Sequence, residues 1–305
     1  MTRLQQHADE YLRLRRALGF KLTEHGQILP QLISYLEAAD QTTVKTELAI
    51  AWARLPEGVQ PIQWAHRLSV ARGFASYMKT IDAQTEVPPP DVFGARQRRP
   101  APYLWSSEEV CRLLAAARAL HPPLRAASYE ALFGLLAVSG MRVGEALALE
   151  RDDVDLDAGV ITIQDPKFGR QRLIPLLTSA TEALRRYGED RDRLCPRPKA
   201  STFFLSSVGT ALQHCCVRKA FVKLTTEIGL RTATVRPRIH DLRHRYAVQT
   251  LICAQRSGEV ARQMPALSDY LGHVSPAGTW WYVSAVPELM ELAAQRLEER
   301  FGGRS

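Results

Sequence analysis

The chain has 305 residues, 46% hydrophobic and 24% charged, enough to bury a sizeable core in one large or two ordinary domains. Its formal net charge of +8 points to a polyanionic partner, most simply nucleic acid. No apolar run reaches the ~20 residues of a membrane span, and Met1-Thr2-Arg3-Leu4-Gln5-Gln6 has no apolar signal core, so a cytoplasmic protein without membrane contact is expected.

In chain order, Leu4, Ala8, Tyr11 and Leu12 share one face of a first helix, with Gly19 as its stop. A second helix is predicted over 27–39 and a third over 44–55. A fourth carries Leu68, Ala71, Phe74, Ala75 and Met78 at helical spacing. These make a small helical bundle over residues 1–86. Val87-Pro88-Pro89-Pro90 cannot continue a helix, because proline lacks the amide proton and clashes with the preceding turn. Arg96, Arg98 and Arg99 follow, then Pro100 and Pro102, so 87–103 reads as a stiff, basic, exposed linker that can lie across a DNA backbone.

The second domain is predicted over 104–305. Ser106 or Ser107 caps its first helix, with Glu108 and Glu109 in the first turn. An apolar helix over 129–138 is broken by Gly140, and a new helix carries Val143, Ala146, Leu147 and Leu149. Residues 160–163 and 172–175 read as strands around the turn Asp165-Pro166-Lys167-Phe168-Gly169. Ser179 with Glu182 resembles a capping box, and Phe203-Phe204-Leu205 a short strand. From about 210 onward the pattern is helix separated by brief loops. The fold class expected is mainly α with a small β-hairpin or sheet. Cys111, Cys195, Cys215, Cys216 and Cys253 are odd in number and form no C-x-x-C, so neither a disulfide framework nor a zinc finger is expected, but reduced, buried thiols.

Four short patterns carry chemistry. Arg142 follows a Ser-Gly break and is placed at a helix start, where free amides and partial positive charge favour a phosphate. Glu145 shares its face and can orient the guanidinium, or simply cap the helix with it. His240 and Arg243 lie one turn apart on a helix. Arg231, Arg236, Arg238 and Arg245 lie in the same segment, and Arg243 has Asp241 or a glutamate as an alternative structural partner. His273 ends Leu271-Gly272-His273, and Ser275-Pro276 starts the helix that reaches Tyr282. Lys167 sits at a hairpin tip, where most lysines are merely solvated. Arginine forks grip phosphate oxygens in pairs, so the set suits a phosphodiester.

Together, in order and spacing, Ser139-Gly140-Met141-Arg142-Val143-Gly144-Glu145, the Lys167 turn, His240-Asp241-Leu242-Arg243-His244 and Leu271-Gly272-His273 with Tyr282 nine residues on resemble the tyrosine recombinases, the phage-integrase family. The resemblance covers roughly 103–290, and the N-terminal bundle is similar to that family's core-binding domain. Two features depart from it: a long stretch between Arg243 and His273, with an insertion at 253–265, and Trp280 and Trp281 just before the tyrosine.

The resemblance implies a site-specific DNA recombinase or integrase, including use as a transposase, that cleaves and rejoins DNA through a 3′-phosphotyrosine on Tyr282. Arg142, Arg243, His240 and His273 would hold the phosphate, Lys167 would protonate the leaving 5′-oxygen, and Glu145 and His244 would support them. Arg96, Arg98, Arg99, Arg238 and Arg245 are the further DNA-binding candidates. It implies no cofactor and no metal, double-stranded DNA as partner, and four protomers on two DNA sites. The terminal helix, 287–301, would dock on a neighbouring protomer or pack at home. The alternatives are a catalytically silent DNA-binding relative and a type IB-like topoisomerase.

Overall fold

The protein is described by a computed structural model, which covers residues 2–94, 101–165, 170–272, 275 and 277–301. It divides into two compact units, 1–99 and 100–305.

The first unit, among its described residues, is built on α1 (Arg3–Ala17), α2 (Thr23–Ala38), α3 (Thr46–Arg54) and α4 (Pro61–Lys79). Leu4, Ala8, Tyr11 and Leu12 are buried as the helical spacing requires, and Gly19, at φ +86°, ends the α1 turn. α2 starts earlier than the sequence pattern suggests and runs through Pro30. A proline inside a helix costs about 3 kcal/mol. Leu29, Leu32, Ile33 and Leu36 are each fully buried on that helix, at roughly 1.5–3 kcal/mol apiece, so packing outweighs the lost amide. All five apolar residues expected on α4 are buried.

The stretch after α4 differs from the exposed linker expected. Val87, Val92 and Phe93 pack on the bundle core, and the Phe93 ring lies 5.9 Å from that of Trp64. The Glu86 carboxylate accepts from the Thr46 amide at 2.9 Å. The apolar residues on either side of the prolines are what draw the segment back. Arg96, Arg98 and Arg99 lie outside the described residues.

The second unit holds α5 (Ser107–Arg118), α6 (Pro123–Ser139), α7 (Val143–Ala148), β1 (Val154–Asp155), β2 (Val160–Asp165), β3 (Arg170–Pro175), α8 (Thr178–Leu194), α9 (His214–Glu227), α10 (His240–Ser257), α11 (Val260–Leu271), α12 (Ala277–Ala285) and α13 (Pro287–Phe301). The sheet is antiparallel in the order β1-β2-β3, with Ile161 opposite Ile174 and Ile163 opposite Arg172. Ser106 caps α5 in a capping box with Glu109. α6 is the central helix, and Leu132, Phe133 and Leu136 lie within the unit's main core.

Several expectations are corrected. α7 has six residues and ends at Ala148, with Leu149 already outside it. α8 begins one residue before Ser179 and has Leu177 at its N-cap, so Ser179 and Glu182 form no capping box. Residues 203–205 form no strand, only bridges from Glu150 to Thr202 and from Leu205 to Ala211. Side chains of α8 serve the backbone there instead. Tyr187 Oη donates to the Phe203 carbonyl at 3.1 Å and accepts from the Leu205 amide at 3.1 Å. The buried Arg191 donates to the same carbonyl at 3.0 Å. The cysteines are free, as expected, but Cys111, Cys215, Cys216 and Cys253 are exposed and Cys195 half-buried. Cys111 shows why: it sits between Val110 and Leu113 on α5, off the stripe that those two bury. The stretch 253–265 is helical except at the junction, where Gly258 adopts φ +85° and turns α10 into α11. α13 packs on α10 and α12, with Leu289 buried.

Among the described residues no helix is long and apolar enough to cross a membrane.

Candidate active site

Two glycine-ended helices build the site. α6 ends at Gly140 (φ +61°) and α11 at Gly272 (φ +64°), both in the left-handed region that glycine enters without steric cost. A helix end leaves its last carbonyls without amide partners, at the negative pole of the helix dipole. Arginines take them. Arg243, buried at 2% exposure, donates from Nη1 to the Gly140 carbonyl at 2.7 Å and from Nη2 to the Leu271 carbonyl at 2.6 Å. Arg142 donates from Nη2 to the Gly272 carbonyl at 2.5 Å. The glycines of the Ser-Gly-Met-Arg and Leu-Gly-His patterns therefore present oxygen atoms to the two arginines.

Asp241 is not the partner of Arg243. Its carboxylate accepts from the Arg238 guanidinium at 2.8 Å and from the Arg238 amide at 2.6 Å, closing the start of α10. Arg238, two residues before α10, is thus held to the start of that helix. Arg245 spends donors on the Trp105 carbonyl and the Ser107 hydroxyl, each at 3.0 Å, and ties α10 to the start of α5.

Arg142 is the residue before α7. Glu145 reaches back to it twice, accepting from Nη1 at Oε1 (2.7 Å) and from the backbone amide at Oε2 (2.9 Å). The amide expected to be free for a phosphate is therefore occupied by a carboxylate. Arg172 of β3, whose place in a predicted strand does not by itself indicate such a role, also donates to Glu145 Oε2, at 2.9 Å. Two guanidiniums thus grip one carboxylate, with Arg243 beside them on the carbonyls of Gly140 and Leu271, an excess of positive charge.

The charges act on one another. Burial by itself would raise the Glu145 carboxyl, but the Arg142 amide, Arg172 and the Arg142 guanidinium outweigh it and hold the group below its ordinary range. Burial, and after it Arg142, pulls Arg243 down to about 10, so it stays charged at neutral pH. His240 is held below its ordinary value by the protein packed around it and then by Arg243.

His240 and His244 stand one turn apart on α10, with ring centroids 4.6 Å apart and planes perpendicular. His244 Nδ1 lies 2.7 Å from the Tyr282 hydroxyl. With the ring proton on Nε2, Nδ1 accepts from that hydroxyl. Tyr282 is 2% exposed, within a second core of α10–α13 side chains. The two tryptophans before Tyr282 divide their roles: Trp281 packs on His244 at 5.6 Å between ring centroids, and Trp280 is exposed. Tyr282 is joined to the arginine cluster through α10: its partner His244 follows Arg243 on that helix and packs edge-on against His240.

The structure therefore brings together Arg142, Glu145, His240, Arg243, His244 and Tyr282, all read from the sequence, and adds Arg172. Tyr270 is a further addition: its hydroxyl donates to the Ser139 carbonyl at 3.0 Å and holds the end of α6. Lys167 and His273 lie outside the described residues. Among the described residues no group of three or more His, Cys, Asp or Glu is arranged to hold a metal.

Comparison with known proteins bears on this site. The model of the phage integrase family matches residues 105–288. The chain is 43% identical, over 100% of both chains, to the integrase/recombinase y4rB of Sinorhizobium fredii (strain NBRC 101917 / NGR234). It is 26% identical to the tyrosine recombinase XerD of Caulobacter vibrioides, over 94% of each chain. Among solved structures it resembles the Tn1549 transposon integrase in complex with transposon right end DNA, with a TM-score of 0.65, 17% identity, and 97% and 99% of the two chains covered. A lambda integrase dimer bound to a COC′ core site gives a TM-score of 0.63 at 18% identity, over 92% of this chain and 94% of that one. Likeness at those identities is one of fold.

Proposed function

Since the chain belongs to the phage integrase family of tyrosine recombinases, we propose that it cleaves and rejoins duplex DNA at specific sites through a covalent bond from Tyr282 to phosphate. One observation carries the reading: a tyrosine hydroxyl hydrogen-bonded to an imidazole, in the same site as a cluster of guanidiniums with one carboxylate among them.

In the proposed step the Tyr282 oxygen attacks the scissile phosphorus and the bond to the 5′-oxygen breaks, leaving a 3′-phosphotyrosine and a 5′-hydroxyl. The tyrosine proton passes to His244 Nδ1, the acceptor already at 2.7 Å. A tyrosine with its ordinary pKa near ~10 needs such help, and the guanidiniums nearby favour its anion. Arg142 and Arg243 meet the phosphate oxygens as charge builds on them, and donors fixed in advance cost no reorganisation at that moment. The carbonyls of Gly140, Leu271 and Gly272 do the fixing. His240, held largely neutral, and His273 add hydrogen bonds. Lys167, between β2 and β3 in sequence, protonates the leaving oxygen. Tyr282 is buried, so attack requires α12 to expose its hydroxyl when DNA is bound.

The phosphotyrosine keeps the energy of the broken bond, so rejoining needs no nucleotide. Exchange with a second duplex, by four protomers on two sites, gives recombination, in integration or transposition. Arg96, Arg98 and Arg99 would grip the backbone around the site. The named DNA complexes of the solved relatives support duplex DNA as the partner.

The test is capture of covalent adducts from a random-sequence duplex pool by the purified protein, followed by sequencing of the attached junctions. One consensus site with a fixed stagger is expected. An absence of adducts contradicts the reading, and relaxation of supercoiled DNA without joint products removes the recombinase half of it.

A further inference from the structure

Strand alternation makes Arg172 anomalous. Opposite residues of an antiparallel pair share a face, so Arg172 sits on the same side of the sheet as Ile163, and two residues from Ile174 on that side. Ile161, Ile163 and Ile174 are buried in the main core. An arginine at such a position is costly unless it meets an anion. Its Nη2 meets Glu145 at 2.9 Å, and its side chain is 20% exposed. Its Nε–H is buried without an acceptor among the described residues. Its Nη1 passes so close over Gly272 that any side chain there would strike it.

Glu145 is thereby gripped from both sides, with Oε1 on Arg142 and Oε2 on Arg172. Arg172 also joins three pieces of chain. These are β3, which follows Lys167 in sequence, the start of α7 with Arg142, and Gly272, which precedes His273 in sequence. The Arg172 charge reaches Arg243 and Tyr270 as well.

We propose that Arg172 is a positioning residue for strand cleavage: through Glu145 it holds the Arg142 guanidinium in the orientation that meets the phosphate, and it pins β3 against the end of α11. This rests on the strand-transfer reading above.

The experiment uses the full chain and the duplex recovered by covalent capture, with Arg172→Ala, Arg172→Lys, Glu145→Ala and the double variant. DNA binding is measured in a Tyr282→Phe background, and cleavage in single turnover with Tyr282 present. A displacement of about 1 Å in a positioned group can cost about 100-fold in rate. Arg172→Ala is therefore expected to slow cleavage about 100-fold while binding changes by less than about 3-fold. Arg172→Lys restores part of the rate, because lysine supplies the charge but not the planar fork. Arg172→Ala combined with Glu145→Ala is expected to be no slower than Glu145→Ala alone, since both act through one carboxylate.

Cleavage by Arg172→Ala at the wild-type rate overturns the proposal, as does a double variant that loses the product of the two single effects. If Arg172→Ala does not fold, Arg172→Lys decides: a wild-type rate with wild-type unfolding temperature overturns it. Wild-type protein that forms no adduct overturns the strand-transfer reading and this inference with it, whereas wild-type cleavage with an indifferent Arg172 overturns this inference alone.

Discussion

Replacing Gly140 with alanine tests the glycine-ended helix that presents a carbonyl to Arg243. Gly140 has φ +61°, and a Cβ added there would stand 2.5 Å from Tyr246 Cδ1, 3.0 Å from Tyr246 Cγ and 3.2 Å from Leu271 Cδ2. The left-handed conformation costs an alanine roughly 1–2 kcal/mol. Overpacking adds roughly 1–3 kcal/mol, because the Tyr246 ring cannot swing freely: it stacks on Tyr270 at 5.5 Å, and Tyr270 is itself bonded to the Ser139 carbonyl. The sum is roughly 2–5 kcal/mol, which in a unit of this size lowers the unfolding temperature by roughly 4–20 °C. Gly144→Ala is the control of opposite sign. It lies in α7 with nothing within 4 Å of the added methyl, and alanine there is expected to stabilise by about 0.5–1 kcal/mol. Thermal unfolding of both variants, followed by tryptophan fluorescence and calorimetry, reads the pair. A Gly140→Ala protein within about 0.5 kcal/mol of the wild type would refute the reasoning, since ordinary surface changes fall in that range.

Two further outcomes follow from the same contacts. Tyr187→Phe removes a buried hydroxyl bonded to Ser128, to the Phe203 carbonyl and to the Leu205 amide, and urea unfolding is expected to show a loss of about 1–3 kcal/mol. No change would mean that residues 203–205 are held some other way. His240 binds its proton less readily in the folded chain than in the unfolded one, so unfolding takes up a proton as pH falls below the ordinary value near ~6.5. Stability should therefore rise with pH through that window, and His240→Gln should flatten the rise. His25 in the first unit shifts the same way, so the comparison is made within a His25→Gln background. An unchanged slope would show that the imidazole is not disfavoured as a cation.

Much of this was legible in the sequence because it is local. Period and capping rules place α1, α4 and α5, and the order of the four motifs gives Arg142, His240, Arg243 and Tyr282. What was not legible depends on partners far along the chain. Pro30 marks a break by local rules, and only tertiary burial of the α2 face overrides it. Residues 203–205 read as a strand by composition, but Tyr187 and Arg191 supply the hydrogen bonds that a neighbouring strand would. Arg172 had a signal, an arginine on the inward face of an alternating strand, but its meaning needed Glu145, 27 residues away. Asp241 or a glutamate is the partner that the sequence offers Arg243, but carbonyls contributed by residues 140 and 271 take that place.

The most direct measurement of the central claim is mass spectrometry of the peptide that stays attached to DNA after nuclease digestion of the trapped adduct. A nucleotide on the peptide containing Tyr282, absent from the Tyr282→Phe protein while that protein still shifts the same duplex in a gel, is the expected result. A nucleotide on any other residue, or an adduct that survives Tyr282→Phe, would contradict the account.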